Sequence, residues 1–497
     1  MVRPVRVLIV ALTLVFLVSA MQIEASAKKK SSKRKTRKAP SVAVFVMPST
    51  QSSVPASVAA STNRVAPVIV QAPTLSEIRD DVMVNRSSGA PNSTRSGSTA
   101  TGTGDGEGGK KQAWTSRPRI ANAGLLIISE FRVRGPSGAN DEFIEIYNDS
   151  GADHTVAGGG TGYAVVASDG TARCVIPNGT VIPNRGHYLC VNSVAYSLAS
   201  YPAGNGTTAT GDATYTTDIP DNAGIALFNT SVALDFTLAN RLDAVGSTSE
   251  ANTLYKEGTG YPALTPFSID YSFYRDTCGK SGSITTFGVC TISTPKDTNN
   301  NAADFIFVDT NGTSAGAGQR LGAPGPENLS SPIQRNASFG FDQLDPCVAA
   351  SSPPNRVRDF TSDPANNSTF GTLDIRKTVT NNTGGNVTRL RWKIIDITTF
   401  PAPSGIADLR PRTSTAVVVT VDRAPCGSGT SNVTVQGTTL EQPPSQPNGG
   451  GFNSSFSSGT VTLATPLANG ATLDVRYLLG IQQTGSFKFY INVEALP

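Results

Sequence analysis

Leu473-Asp474-Val475-Arg476-Tyr477-Leu478-Leu479 and, after a Gly/Gln turn, Phe487-Lys488-Phe489-Tyr490-Ile491-Asn492-Val493 are the stretches from which the fold is read most directly. Leu473, Val475, Tyr477 and Leu479 alternate with smaller or polar residues, and so do Phe487, Phe489, Ile491 and Val493. Successive side chains of an extended chain point to opposite faces. A strict period of two therefore predicts an antiparallel sheet with one buried face.

The same period extends upstream. Leu373, Ile375, Lys377 and Val379 alternate with Asp374, Arg376, Thr378 and Thr380, and Thr380 to Asn386 turns the chain. Leu390, Trp392 and Ile394 form another inward set. Residues 338–497 thus read as one β-sandwich.

A second group of strands precedes it. Leu125 to Phe131 and Phe143 to Asn148 flank the turn Gly135-Pro136-Ser137-Gly138. Cys174 to Ile176, Val181-Ile182 and Tyr188 to Val191 are separated by Asn178-Gly179 and by Pro183-Asn184-Arg185-Gly186, residues that tolerate positive φ. Ile225 to Phe228 and Leu242 to Val245 follow. Short strands punctuated by turns describe an immunoglobulin-like sandwich over residues 119–332.

Composition agrees with an all-β chain. Among 497 residues there are 48 Gly and 32 Pro, and only 16% are charged. No long stretch carries a helical period, and the length exceeds what one hydrophobic core fills.

The N-terminus reads as an address. Arg3 and Arg6 precede the apolar run Val7 to Val18, and Ala25-Ser26-Ala27 offers small residues for a signal peptidase, so residues 1–27 are expected to be a cleaved signal peptide. The run is too short for a membrane-spanning helix, which takes about 20 residues. A secreted or envelope location is expected.

Lys28, Lys29, Lys30, Lys33, Arg34, Lys35, Arg37 and Lys38 follow with no acid among them. The chain is +4 overall, so without these eight charges the rest is about −4. Such an arm can hold an anionic polymer by releasing counterions, or be no more than a solvated face. With the Ser/Pro/Gly-rich stretch after it, it makes residues 28–118 a disordered arm and linker, in which Leu75 to Val84 has some local helical character.

Six cysteines in an exported chain predict disulfides, and the sandwich layout pairs Cys174 with Cys190, Cys278 with Cys290 and Cys347 with Cys426. With these cysteines scattered and only two histidines present, metal ligation is disfavoured and no cofactor is implied. His154 and His187 sit in or beside turns and read as solvent-facing. Glu130, Glu142 and Glu145 read as strand charges rather than an acid/base pair, Glu145 through cross-strand pairing or an edge position. Asp297, Asn299, Asn301 and Asp304 place oxygens at alternate positions, but Ala302 and Val308 stand where a calcium-binding EF-hand needs Gly and Glu. A looser cation site is one reading; an Asn/Asp turn that satisfies its own backbone is the favoured one.

Several ordered blocks resemble the lamin tail domain family. They are Leu126 to Phe131, Asp141 to Asn148, Val181 to Leu189, Ile225 to Phe228, Asp243 to Gly246, Asn299 to Phe305 and Pro324 to Asn328. The resemblance covers roughly residues 120–330. It implies an immunoglobulin-like sandwich that binds other macromolecules, with acids at these strand positions that are not catalytic. This copy carries an insertion around Ala195 to Asp218 and the Cys278 to Cys290 loop. The C-terminal half is similar to immunoglobulin-like domains of bacterial surface proteins. Together these readings predict an exported, non-catalytic binding or structural protein, an adhesin or envelope component, whose partner is a protein or envelope polymer. The alternative is an accessory module that brings a separate enzyme to a polymer or nucleic acid. A hydrolase would need a convergent His/acid cluster, which the linear sequence does not display.

Overall fold

A computed structural model describes residues 82–84 and 125–497, apart from 203–205, 207, 265–268, 278–294, 313–320, 400–406, 424 and 442–449. The basic arm, the signal segment, Cys278 and Cys290 lie outside the described residues.

In chain order the first strands are β1 (Val82–Val84), β2 (Leu126–Arg132), β3 (Phe143–Asn148), β4 (His154–Thr155), β5 (Gly162–Ala167), β6 (Ala172–Pro177), β7 (Val181–Ile182) and β8 (His187–Asn192). Then come β9 (Ala213–Tyr215), β10 (Ile225–Phe228), β11 (Arg241–Val245), β12 (Tyr271–Arg275) and β13 (Phe305–Asp309). One sheet runs β13-β12-β2-β3-β8-β9 and faces another of order β11-β10-β5-β6. Leu126, Ile128, Phe131, Ile144 and Ile146 from the first and Val165, Ile176, Ile225 and Leu227 from the second fill the space between them. Cys174 on β6 and Cys190 on β8 cross this core as a disulfide, with Cα atoms 6.2 Å apart.

The remaining strands are β14 (Ile333–Gln334), β15 (Phe339–Gln343), β16 (Arg356–Asp359), β17 (Thr372–Asn381), β18 (Arg389–Ile397) and β19 (Asp408–Arg412). They are followed by β20 (Val417–Asp422), β21 (Thr430–Val435), β22 (Thr439–Leu440), β23 (Ser455–Ser457), β24 (Thr472–Gln483) and β25 (Phe489–Leu496). The sheet β1-β25-β18-β23-β22, with β14 also on β25, packs against β15-β17-β24-β19, with β16 also on β17. Trp392 meets Tyr477 edge-on at 5.4 Å in the middle of this core. The inward sets named from the sequence supply it, Lys377 excepted, and the fold is an all-β, sandwich-type one. Cys347 and Cys426 form a second disulfide, Cα atoms 5.4 Å apart.

Two local expectations differ from the structure. Gly480-Ile481-Gln482-Gln483 is not a turn: β24 continues to Gln483 and the chain reverses near Gly485, whose φ is 155°. Gly480 stays in the strand because a Cβ there would stand 2.1 Å from the Asn367 carbonyl oxygen. Val82–Val84 is not helical but pairs in parallel with Phe489–Ile491, at the free edge of β25.

The two sandwiches are not separate beads. Tyr274 and Val308, on β12 and β13, belong to the core of the second sandwich, and the Tyr274 hydroxyl donates to the Ile395 carbonyl at 3.3 Å. The segment 321–331 is threaded between the two sandwiches: Ala323 N–H donates to Phe452 O at 3.0 Å, while Leu329 N–H donates to the Asp212 carboxylate, also at 3.0 Å.

Candidate functional site

The alternation of β2 would aim Glu130 inward, in phase with Leu126 and Ile128. A bulge between Ile128 and Glu130 prevents this. The extra residue shifts the phase, so Phe131 enters the core and Ser129 and Glu130 both face outward. On β3, Ile144 and Ile146 point in, leaving Glu145 and Tyr147 out; on β8, Tyr188 and Cys190 point in, leaving His187 out. The outer face of this sheet therefore carries a row of ionisable groups. On β18, Leu390, Trp392 and Ile394 point inward, so Arg391 and Lys393 point outward, and Glu494 lies directly opposite Arg391 on β25.

These two outer faces meet. Ser129, Glu130, Glu145, Tyr147, His187 and Tyr274 line a cavity of about 60 Å³ together with Glu327, Lys393, Asn453, Asn492 and Glu494. Arg391 donates to Glu494 at 2.5 Å, to Glu327, and approaches Glu441 at 3.4 Å. Lys393 donates to Glu327 Oε2 at 2.7 Å. Glu145 accepts the Ser129 hydroxyl at 2.5 Å and the Glu327 N–H at 2.7 Å, and Glu130 accepts the Gly325 N–H at 2.9 Å. His187 Nε2 lies 3.4 Å from Glu327 and 3.7 Å from Glu145.

Burial dominates the electrostatics. It raises Glu130, and it raises Glu145 well above the usual carboxylate range against the pull of Lys393. Burial would also raise Glu327, but Arg391, Lys393 and His187 outweigh it and hold the group at about 2. Glu494 is pushed up to about 7 by burial, partly offset by Arg391. His187 falls to about 4 because burial disfavours its charged form.

The reading of His187 as solvent-facing is thus corrected, since it is 7% exposed and stands between two carboxylates. Glu145 is not at an edge either: β3 is flanked by β2 and β8. The fold does bring one histidine and several acids together. The Ser129 hydroxyl donates to Glu145. His154 is half-buried and lies 3.3 Å from the Tyr163 hydroxyl, away from the cavity. Glu142 is buried too, accepting from Asn192 and from the Ile219 N–H.

Asp297, Asn299, Asn301 and Asp304 serve the backbone around the short helix α1 (Asn301–Asp304). Asp304 accepts from the Thr298 N–H and hydroxyl and from the Asn300 N–H. Asn301 accepts from Gly246 and Glu257 and donates to the Ala244 carbonyl. Asp297 lies 3.5 Å from Arg275, whose guanidinium is held by Asp243 at 2.6 Å. Asn299 takes up a positive φ of 56°.

The sequence did hold a signal for the seam: acids at mid-strand in the first sandwich and Arg391 and Lys393 at mid-strand in the second are complementary in sign. Comparison with protein families, with curated proteins and with solved structures found no match for this chain.

Proposed function

We propose that this chain is an exported, non-catalytic binding or structural protein of the adhesin or envelope-associated kind, whose lamin-tail-like first sandwich and second sandwich act as one rigid body. The observation that carries this reading is the seam: Glu327, Arg391, Lys393 and Glu494 spend their charges on one another between the sandwiches, which suits a scaffold. Two cysteine pairs at disulfide distance fit an oxidising compartment, and no helix among the described residues is long and apolar enough to cross a membrane.

Contact then falls to surface loops and to the basic arm. Residues 231–240 are the best-formed candidate loop. Phe236 is pinned by stacking on Phe228 at 5.0 Å, while Leu234 is 93% exposed and Leu238 52%. An anchored loop that displays apolar side chains suits recognition of a protein or polymer surface.

The test is a pull-down from the host's envelope and medium, at low and high salt, with the mature chain. Two variants accompany it: Leu234→Asp with Leu238→Asp, and one with the eight basic residues from Lys28 to Lys38 changed to Gln. Capture that survives high salt and is lost only in the loop variant supports recognition by the sandwiches. Capture lost only in the arm variant, and only at low salt, makes the sandwiches spacers. Turnover of a model ester or glycoside that depends on His187 would overturn the non-catalytic reading.

A further inference from the structure

Among the described residues two groups of acids and histidines converge tightly enough to share an ion: Asp243, Glu257 and Asp297, and Glu145, His187 and Glu327. The first is already filled by protein, since the Arg275 guanidinium sits on Asp243 and reaches Asp297. The second has cationic side chains on Glu327 alone, where Arg391 and Lys393 sit.

His187 is buried at 7% exposure. Nδ1 has no partner, and Nε2 stands 3.4 Å from Glu327 Oε2 and 3.7 Å from Glu145 Oε1 without hydrogen-bonding geometry. Buried polar atoms are nearly always hydrogen-bonded, so an imidazole Nε2 that faces two carboxylates outside hydrogen-bonding geometry leaves room for a partner between them. The distances indicate which. Two ligands of one tetrahedral zinc, each bonded at about 2.05 Å, stand about 3.3 Å from one another. The 3.4 Å from Nε2 to Glu327 is close to that spacing and the 3.7 Å to Glu145 somewhat longer, and the adjoining cavity of about 60 Å³ leaves room for a water as a further ligand.

Formal charge points the same way. Glu130, Glu145, Glu327, Glu441 and Glu494 gather around Arg391 and Lys393, so the carboxyl groups outnumber the cations. Arg275 also borders the cavity but is committed to Asp243. Among the described residues neither Glu130 nor Glu145 has an arginine or lysine within 4 Å.

We propose that Glu145 Oε1, His187 Nε2 and Glu327 Oε2 form a mononuclear site for a divalent cation of the zinc class, closing the seam between the two sandwiches. One imidazole with two carboxylates suits zinc better than calcium or magnesium, which prefer all-oxygen shells. Glu327 Oε1 remains with Arg391, so the ion adds to that pair without replacing it. Lys393 is the competitor: its Nζ lies 2.7 Å from Glu327 Oε2 and must turn aside, toward Glu494, whose charge it already feels.

The experiment uses the full chain, stripped with a chelator and titrated with zinc by calorimetry, with thermal unfolding recorded in parallel and with calcium and magnesium as comparisons. One zinc per chain should bind in the micromolar range or tighter and raise the unfolding temperature, with little response to calcium or magnesium. His187→Gln and Glu145→Gln should weaken binding by about a hundredfold. His154→Gln, the change to the chain's other histidine, should leave it intact, and Lys393→Met should bind about tenfold tighter by removing the competing ammonium. A wild-type chain that takes up no stoichiometric zinc overturns the site. So does loss of binding in His154→Gln equal to that in His187→Gln. Because wild type, His154→Gln and Lys393→Met decide the matter, misfolding of a ligand variant does not leave it open.

Discussion

Arg391 and Glu494 stand directly opposite one another on the paired strands β18 and β25, and the same guanidinium that donates to Glu494 also reaches Glu327 in the segment between the sandwiches. One side chain thus ties a sheet to the connection that precedes it. Arg391→Met should cost about 3 to 5 kcal/mol, because it strands Glu327 and Glu494 in a buried place. Combining it with Glu494→Gln should recover part of that loss, since Glu327 keeps Lys393 and Glu494 no longer carries a charge. Equilibrium urea unfolding measures both; a single variant within about 0.5 kcal/mol of wild type would show that the network does not hold the seam.

Glu142 gives a pH dependence with a definite sign. Burial raises its folded value from 4.5 to about 8, opposed by the hydrogen bonds from Asn192 and the Ile219 N–H. A raised folded value contributes stability that is fully present below pH 4.5 and is lost as pH rises through about 8. The loss amounts to about 5 kcal/mol across that window. Glu494, at about 7, acts in the same direction, so the informative quantity is the difference between wild type and Glu142→Gln. Unfolding from pH 5 to 9 should show a steeper decline for wild type; parallel curves would refute the assignment.

The two described disulfides have separate tasks. Cys174–Cys190 closes a separation of 16 residues across the first sandwich, and Cys347–Cys426 closes one of 79. Replacing the first pair by alanines should cost about 3 kcal/mol and the second about 4. Peptide mapping without reductant should recover both linkages, and also Cys278 joined to Cys290. Free thiols at Cys278 and Cys290 would overturn the sequence reading of that pair.

Deleting Ser129 tests the bulge. Without the extra residue Glu130 follows Ile128 directly, and the plain alternation that results still points Glu130 outward and Phe131 into the core. The deletion should therefore leave a folded protein, and Ser129→Ala should cost about 1 to 2 kcal/mol through its lost hydrogen bond to Glu145. Circular dichroism and solubility of the two proteins check this; an unfolded deletion variant would mean that the bulge itself, and not only the facing it produces, is needed.

Much of the second sandwich was legible because Val475, Tyr477, Phe489 and Ile491 obey a period that depends only on the backbone. The strand and turn pattern around Phe143 and Asn178-Gly179 was legible for the same reason. The site was not. Whether Glu145 faces water depends on what a strand nearly 250 residues later lays over it, and no local pattern encodes that. The bulge at Ser129 was hidden as well, since one added residue leaves a short apolar run looking uninterrupted. Gly480 misled because glycine marks turns and close approaches alike, and only the nearby Asn367 carbonyl tells which applies here.

Tyr274 and Val308 complete a core that is otherwise built almost wholly from residues after 332. A unit that borrows two of its interior side chains from its neighbour cannot be inherited or transplanted alone. Cut away, the C-terminal half would expose the apolar floor those residues cover, while the N-terminal half would carry an unshielded tyrosine. The pair is therefore one evolutionary and mechanical unit, and heat should melt it in a single cooperative step.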